Sequence, residues 1–280
     1  MKILSDDIGD KNVFKHENLK KSARYIEKTL SEAGYEVALQ AYVADSAAVE
    51  NIIAEKKGSK RPDEIVLVGA HYDTCLNPGA DDNASAVAGL LEIARMFSEK
   101  DVSRTIRFVA FVNEEPPFYK TEKMGSYVYA RKAREKDENI RAAIILEMIG
   151  YDSNEPGSQS YPPMLGFFYP DKGNFIAIVG NLRYKWLVRR VKRRFKEQTF
   201  FSVESLAAPG FVPGVDFSDH WSFWKWDYPA VMITDTAFYR SPHYHRNSDT
   251  YETLDYGAMA EVVQAISKAV EELIKQEKIE

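Results

Sequence analysis

Residues 64–86 read "EIVLVGAHYDTCLNPGADDNASA", and this stretch decides both the fold and the candidate site. The short apolar run at 65–68 is typical of a buried strand. The segment 83–98 places apolar residues on one face and predicts a helix. The loop between them carries one histidine and three aspartates. Such a loop either caps the helix that follows or binds a metal ion.

The rest of the chain repeats the order of strand and helix, which predicts an α/β fold. In chain order, the predicted elements are a helix at 19–30, extended stretches at 36–42 and 51–55, strands at 65–68, 105–113 and 142–149 with helices at 83–98 and 124–137 between them, a helix at 182–198, and strands at 201–205 and 229–236 before a closing helix at 254–275. We expect a single three-layer domain over residues 1–280, with a mixed, mainly parallel sheet and helices on both faces. The loops 150–175 and 207–216 are rich in Gly and Pro, and loops this long are more often functional than idle.

The composition limits the classes of function. The chain has 280 residues, 45% of them hydrophobic, which is sufficient for a sizeable core. A net charge of -5 argues against nucleic acid as a partner. No apolar run reaches the length of a membrane span, so we expect no membrane partner. The single cysteine, Cys75, excludes a disulfide framework, and together with the polar N-terminus it predicts a cytoplasmic protein.

Potential metal ligands and acid–base groups follow the predicted strands. His71, Asp73, Asp81 and Asp82 follow the first, Glu114 and Glu115 follow the second, Glu147 ends the third, and His243, His245 and Asp249 follow the last. In such sheets ligands bind at the carboxyl ends of the strands. Clustered carboxylates resist ionisation unless a cation joins them. Histidine and carboxylate ligands without thiolates suit catalytic zinc, and this set is large enough for two ions about 3.5–4 Å apart.

Several short motifs carry a resemblance to a known family. "HYDT" (71–74), "GADDNASA" (79–86), "NEEPP" (113–117), "MGS" (124–126) and "HYHRNSDT" (243–250) occur in this order, together with "SDHWSFW" (218–224) and "YPAVMITDT" (228–236). In order and rough spacing they resemble the M28 family of zinc aminopeptidases. The resemblance extends from about residue 20 to the C-terminal helix.

The resemblance implies a ligand set for two zinc ions. His71, Asp82 and Glu147 match the ligands of one ion, and Asp82, Glu115 and His245 match those of the other, with Asp82 as the bridging carboxylate. The aminopeptidases usually have Asp where this chain has Glu147, which leaves the number of ions open. Cobalt or manganese can also occupy such ligands.

The resemblance also implies a mechanism and a substrate. Glu114 matches the general base, which takes a proton from the attacking water and returns it to the leaving amine. Asp73 is expected to accept the free N–H of His71 and fix its tautomer. The substrate is then a peptide or an aminoacyl compound with a free N-terminus. Asp219 is a candidate contact for the amine or for the metal shell.

Two other functions remain open at this stage. A single-zinc enzyme that cyclises N-terminal glutamine uses similar ligands on the same fold, and its ligand after the third strand is not an aspartate. A non-catalytic protein that binds peptides on a peptidase scaffold is the third hypothesis. The oligomeric state cannot be predicted from the sequence.

Several residues also have structural interpretations. His243 competes with His245 as the ligand, and Asp81 or Asn83 is expected to cap the following helix. Taken alone, His71 is compatible with a core histidine, and Glu114 and Glu115 are compatible with an exposed strand end. His220 is compatible with a structural partner of Asp219, Cys75 with a plain loop cysteine, and the basic run 189–194 with a solvated helix face.

Overall fold

The computed structural model describes residues 1–199 and 201–275, and within these ranges eight strands form one sheet. The strands are β1 (Val37–Ala44), β2 (Ala47–Lys56), β3 (Arg61–His71), β4 (Arg104–Phe111), β5 (Asn139–Glu147), β6 (Phe175–Gly180), β7 (Ser202–Ala207) and β8 (Ala230–Thr234). Their order across the sheet is β1-β2-β4-β3-β5-β8-β6-β7. In the part of the chain that the structure describes, four of the seven strand pairs are parallel, including the central run β4-β3-β5-β8.

Helices cover both faces of the sheet. They are α1 (His16–Glu32), α2 (Ala86–Phe97), α3 (Gly125–Glu135), α4 (Lys185–Lys196), α5 (His220–Lys225) and α6 (Tyr256–Lys275). The helices α1, α2, α4 and α6 share one hydrophobic core, whereas α3 and α5 pack into a smaller core on the other side. No helix at 1–199 or 201–275 combines the length and the hydropathy that crossing a membrane requires.

Along each central strand the side chains enter the two cores alternately, because successive side chains of a strand point to opposite faces of the sheet. In β3, Val66 and Val68 face the larger core, and Ile65 and Leu67 face the smaller one. These four side chains are buried, which explains the continuous apolar run in the sequence. The predicted fold class, a three-layer α/β domain with a mixed sheet, is confirmed.

The local assignments differ at several boundaries. The strand β6 (Phe175–Gly180) was not predicted, and it lies between the loop that the sequence places at 150–175 and the helix predicted at 182–198. The helix predicted at 83–98 begins at Ala86, because Ala80–Ser85 forms an irregular turn with non-helical backbone angles at two of its residues. That turn carries the candidate ligand Asp82. The single domain boundary at 1–280 stays a prediction.

Candidate metal centre

The carboxyl ends of the central strands converge at one edge of the sheet, since β4, β3, β5 and β8 run parallel. His71 is the last residue of β3, and Glu147 is the last residue of β5. Glu114 and Glu115 follow the end of β4, and the segment that carries His245 follows β8. The topology therefore brings together the residues that the sequence places after separate strands.

Three of the predicted ligands form one compact group around His71. Its Nε2 atom lies 3.4 Å from Oδ1 of Asp82 and 3.3 Å from Oε2 of Glu147. One ligand atom from each of the three residues lies within 4.8 Å of the others, and all three side chains are buried. This is the group that the resemblance assigns to the first ion.

A second group lies around His245. Its Nε2 atom is 3.1 Å from Oδ2 of Asp82 and 3.3 Å from Oε1 of Glu115. Asp82 therefore presents one carboxylate oxygen to each histidine, which is the arrangement of a bridging carboxylate. The thiol of Cys75 joins Glu115 and His245 in a set of potential ligand atoms that lie within 4.8 Å of one another.

The donor atoms of this centre fit a divalent cation. Nε2 of His71, Oδ1 of Asp82 and Oε1 of Glu115 are buried and have no hydrogen-bond partner among the described residues. Buried polar atoms are costly when they are left unsatisfied, so most have a partner. Imidazole and carboxylate ligands are the ones that zinc accepts in catalytic sites.

Asp73 organises the backbone beside His71. Its carboxylate accepts hydrogen bonds from the backbone N–H groups of Glu114, at 3.0 Å, and Glu115, at 3.1 Å. Nδ1 of His71 lies 3.2 Å from the backbone oxygen of Asp73 and 3.6 Å from its carboxylate. The histidine N–H therefore reaches the carbonyl more closely than the carboxylate that the sequence predicted as its acceptor.

The turn at Ala80–Ser85 directs Asp82 inward and Asp81 away. The carboxylate of Asp249 accepts hydrogen bonds from the backbone N–H of Asp81, at 2.8 Å, and of Asp82, at 3.1 Å. The side chain of Asp81 accepts the backbone N–H of Gly150 at 2.9 Å. The side-chain N–H of Asn83 donates to the backbone oxygen of the residue before Glu147. The side-chain oxygen of Asn83 accepts a hydrogen bond from the backbone N–H of the residue after Glu147. Asp81 and Asn83 thus have structural roles, and neither caps the helix α2 through its side chain.

The other candidates lie in different environments. His243 faces Ser248, with 3.0 Å between Nδ1 and the hydroxyl oxygen, and His220 is held by the backbone oxygen of Val215 at 2.8 Å. Asp219 is fully buried near the centre, and within the described ranges its carboxylate oxygens have no hydrogen-bond partner. Ser218, which the sequence pattern did not single out, donates its hydroxyl hydrogen to Oε2 of Glu147 at 2.6 Å. Its place beside Asp219 in "SDHWSFW" was the available signal.

The protein groups alone shift one another's pKa values strongly. Burial, reinforced by neighbouring carboxylates, raises the pKa of Glu114 well above its usual value, and burial together with Asp82 raises the pKa of Glu115 to about 8. Against the effect of burial, the neighbouring carboxylates raise the pKa of His245 to about 10. Burial raises the pKa of the Cys75 thiol to about 12. Burial raises the pKa of Asp219 to about 7. Burial acts to lower the pKa of His71, but the neighbouring carboxylates raise it by more. Burial acts to raise the pKa of Asp82, but the two histidines lower it by more.

A cavity that is partly open to solvent adjoins the centre at Glu147. Its floor is the sheet face where Glu147, Thr234, Ala177 and Glu204 lie side by side on four neighbouring strands. Residues in register on adjacent strands point to the same face. Its walls include several aromatic side chains, among them Tyr244, which stacks on His245 with 3.8 Å between the ring centroids.

Comparisons with known proteins agree with this picture. The sequence model of Peptidase family M28 matches residues 51–270. The uncharacterised protein YfbL of Escherichia coli is 40% identical over 276 residues, which is 95% of this chain and 84% of that protein. The aminopeptidase YwaD of Bacillus subtilis is 30% identical over 82% of this chain, and the match spans 46% of that relative.

Solved structures share the fold. The zinc aminopeptidase BSAP of Bacillus subtilis superimposes with a TM-score of 0.79 at 18% identity, over 100% of this chain and 94% of that one. The glutaminyl cyclase of Tannerella forsythia superimposes with a TM-score of 0.69 at 22% identity, over 98% of this chain and 95% of that one. Because both enzymes have this fold, the fold alone does not distinguish peptide hydrolysis from cyclisation.

Proposed function

Since the chain belongs to Peptidase family M28 and is a peptide hydrolase, we propose that it is a zinc aminopeptidase that releases the N-terminal residue of peptides. In this proposal His71, Asp82 and Glu147 hold one zinc ion, and Asp82, Glu115 and His245 hold the second. The aminopeptidase activity of the relative YwaD supports the choice among peptidases.

The observation that carries the proposal is the position of the Asp82 carboxylate. One of its oxygens lies 3.4 Å from Nε2 of His71, and the other lies 3.1 Å from Nε2 of His245. A carboxylate between two histidines, each with a further carboxylate beside it, is the donor arrangement of a bridged two-metal site. A single ion would use only one side of this arrangement.

Glu114 is the proposed general base. Its Oε2 atom lies 4.0 Å from Nε2 of His71, so its carboxylate borders the first ligand group. Zinc ions bound here supply Lewis-acid polarisation of the scissile carbonyl and an activated water. Glu114 accepts the proton of the attacking water and donates it to the leaving amine. Asp73 keeps Glu114 in place through the backbone hydrogen bond of 3.0 Å.

The surroundings of the centre select a peptide with a free N-terminus. The excess of carboxylates attracts the α-ammonium group of the substrate. The cavity beside Glu147 is lined mainly by apolar and aromatic side chains, as ligand sites usually are. We assign this cavity to the side chain of the first residue, which makes large apolar residues the preferred ones. The sole cysteine of the chain fits the reducing cytoplasm.

The single-zinc cyclase is the second candidate, because the Tannerella forsythia cyclase shares the fold and Glu147 replaces the usual aspartate. It predicts one ion per chain and ring closure of an N-terminal glutamine without release of a residue. The two-histidine environment of Asp82 favours the aminopeptidase.

Metal content and turnover test the proposal together. Elemental analysis of the purified protein should give two zinc ions per chain, and a panel of aminoacyl-arylamides should be hydrolysed with zinc or cobalt. Glu114→Ala should abolish turnover and retain both ions, because the residue binds neither ion directly. The matched control is Glu122→Ala, at an exposed position outside the centre. Full activity of Glu114→Ala contradicts the mechanism, and cyclisation of a glutaminyl peptide without hydrolysis contradicts the function.

A further inference from the structure

The only cysteine of the chain lies beside the second ligand group. Cys75 belongs to the loop between β3 and the turn that carries Asp82. Its sulfur, a carboxylate oxygen of Glu115 and a ring nitrogen of His245 lie within 4.8 Å of one another. The thiol therefore lies beside two of the three residues of this group, Glu115 and His245.

An independent observation points to a cation at the same place. Oε1 of Glu115 is buried and has no hydrogen-bond partner at 1–199 or 201–275. The same oxygen lies 3.3 Å from Nε2 of His245. A buried, unsatisfied carboxylate oxygen beside an imidazole and a thiol has the surroundings of a metal ligand.

We propose that Cys75 is a fourth protein ligand of the second zinc ion, together with Asp82, Glu115 and His245. This inference rests on the proposed two-zinc function. Zinc binds sulfur at about 2.3 Å and nitrogen or oxygen at about 2.0–2.2 Å, so one ion would draw together the donor atoms of Cys75, Glu115 and His245, which lie within 4.8 Å of one another. Binding converts the thiol to a thiolate and releases its proton to solvent.

With Cys75, four protein residues would hold the second ion, whereas three, His71, Asp82 and Glu147, would hold the first. Glu114 lies on the side of the first ion, with Oε2 at 4.0 Å from Nε2 of His71. A thiolate ligand would favour zinc over harder cations such as manganese at the second position.

Cobalt absorption tests this ligand directly. The full chain is stripped with a chelator and reloaded to two Co²⁺ per chain, and the near-ultraviolet spectrum is recorded for a cobalt–thiolate charge-transfer band. Because the chain has one cysteine, such a band comes from Cys75 alone. The wild type should show the band, and Cys75→Ala should lose it. Chelator competition should show that the variant binds one of its two ions at least about 10-fold more weakly.

A loop variant and a chemical probe complete the test. Leu76→Ala changes an exposed neighbour in the same loop and should retain the band. Zn²⁺ should slow the alkylation of Cys75 by iodoacetamide. Two bound cobalt ions without the band in the wild type, or no bound cobalt, overturn the inference. A band without hydrolysis of any aminoacyl-arylamide supports the ligand and overturns the aminopeptidase function, whereas hydrolysis without a band does the reverse.

Discussion

The hydroxyl group of Ser218 donates a hydrogen bond of 2.6 Å to Oε2 of Glu147, and the same oxygen lies 3.3 Å from Nε2 of His71. Both neighbours therefore approach one oxygen of the carboxylate. Glu147 stands where the M28 aminopeptidases usually have an aspartate, and its additional methylene gives the carboxylate one more rotatable bond to order. The buried serine fixes this longer side chain toward His71.

Replacing Ser218 by alanine should weaken binding of the ion at Glu147. Removal of a hydrogen bond to a ligand typically costs about 10–100-fold in metal affinity. We expect a loss of about 10-fold for one of the two ions, and a lower kcat in limiting zinc that excess zinc restores. Competition with a chromogenic chelator measures the affinity without reference to turnover.

The matched control for this change is Ser222→Ala. Ser222 is also buried, and among the described residues its hydroxyl contacts the hydroxyl of Ser126 at 2.9 Å and the sulfur of Met124 at 3.8 Å. This variant should bind both ions with wild-type affinity. Equal affinities for the wild type and Ser218→Ala would show that the serine does not position Glu147.

The sequence predicted the strand-end residues because parallel strands bring their carboxyl ends to one edge of the sheet. His71 and Glu147 needed only that rule, and the two adjacent aspartates of "GADD" were expected to point in different directions, as they do. The contact of Ser218 with Glu147 joins positions 71 residues apart, and it depends on how α5 packs against β5. The strand at Phe175–Gly180 was missed since a run of six apolar residues has no distinctive period.

The proximity of Cys75 to the second ligand group was also beyond the sequence. The loop from Cys75 to Gly79 has no periodicity from which side-chain directions follow. The backbone has a positive φ of 55° at Leu76 and 62° at Gly79, which the residue pattern does not predict. A plain loop cysteine was therefore the simpler interpretation of the sequence, and only the fold places the thiol beside Glu115 and His245.

Because of Lys11, the free energy of unfolding of the protein should change with pH in the alkaline range. Its side chain is buried, with Nζ donating to the backbone oxygens of Gly9, at 3.3 Å, and Pro78, at 3.2 Å. Burial lowers the pKa of Lys11 from 10.5 to about 8, although several aspartates act in the opposite direction: Asp249, Asp10, Asp73 and Asp82. Between these two values the unfolded chain binds more protons than the folded one, so the free energy of unfolding rises with pH.

Denaturant unfolding of the protein, after a chelator has removed its metal ions, measures this rise in the free energy of unfolding with pH. A pKa difference between 10.5 and about 8 corresponds to roughly 3 kcal/mol in the free energy of unfolding. Lys11→Met removes the titrating group, so its stability should lack this rise relative to the wild type. Lys21→Met, at an exposed position of α1, removes a solvent-exposed charge and leaves Lys11 buried, so this variant should retain the rise in the free energy of unfolding. If the free energy of unfolding of Lys11→Met rises with pH as much as that of the wild type, the effect belongs to other groups.

Filling the floor of the cavity beside Glu147 should change the preference for the first residue of the substrate. Ala177 lies in register between Thr234 and Glu204, in the middle of the row that begins at Glu147. Three inter-strand steps of about 4.8 Å separate the two ends of the row, so a small residue at its centre leaves room for a large side chain. At the far end, Glu204 is paired with Lys192 at 3.1 Å, which neutralises that wall and disfavours basic side chains.

Ala177→Leu should therefore lower kcat/KM for phenylalanyl- and leucyl-arylamides by about 10-fold or more, because the added methyl groups occupy the space of the substrate side chain. Alanyl-arylamide does not reach this part of the cavity, and its hydrolysis should remain within about twofold of the wild type. The control Ala41→Leu adds the same volume at an exposed position of β1, at the opposite end of the sheet. An equal loss for alanyl and phenylalanyl substrates would indicate general damage to the centre, and a loss that follows the second residue of dipeptides would assign the cavity to the leaving group.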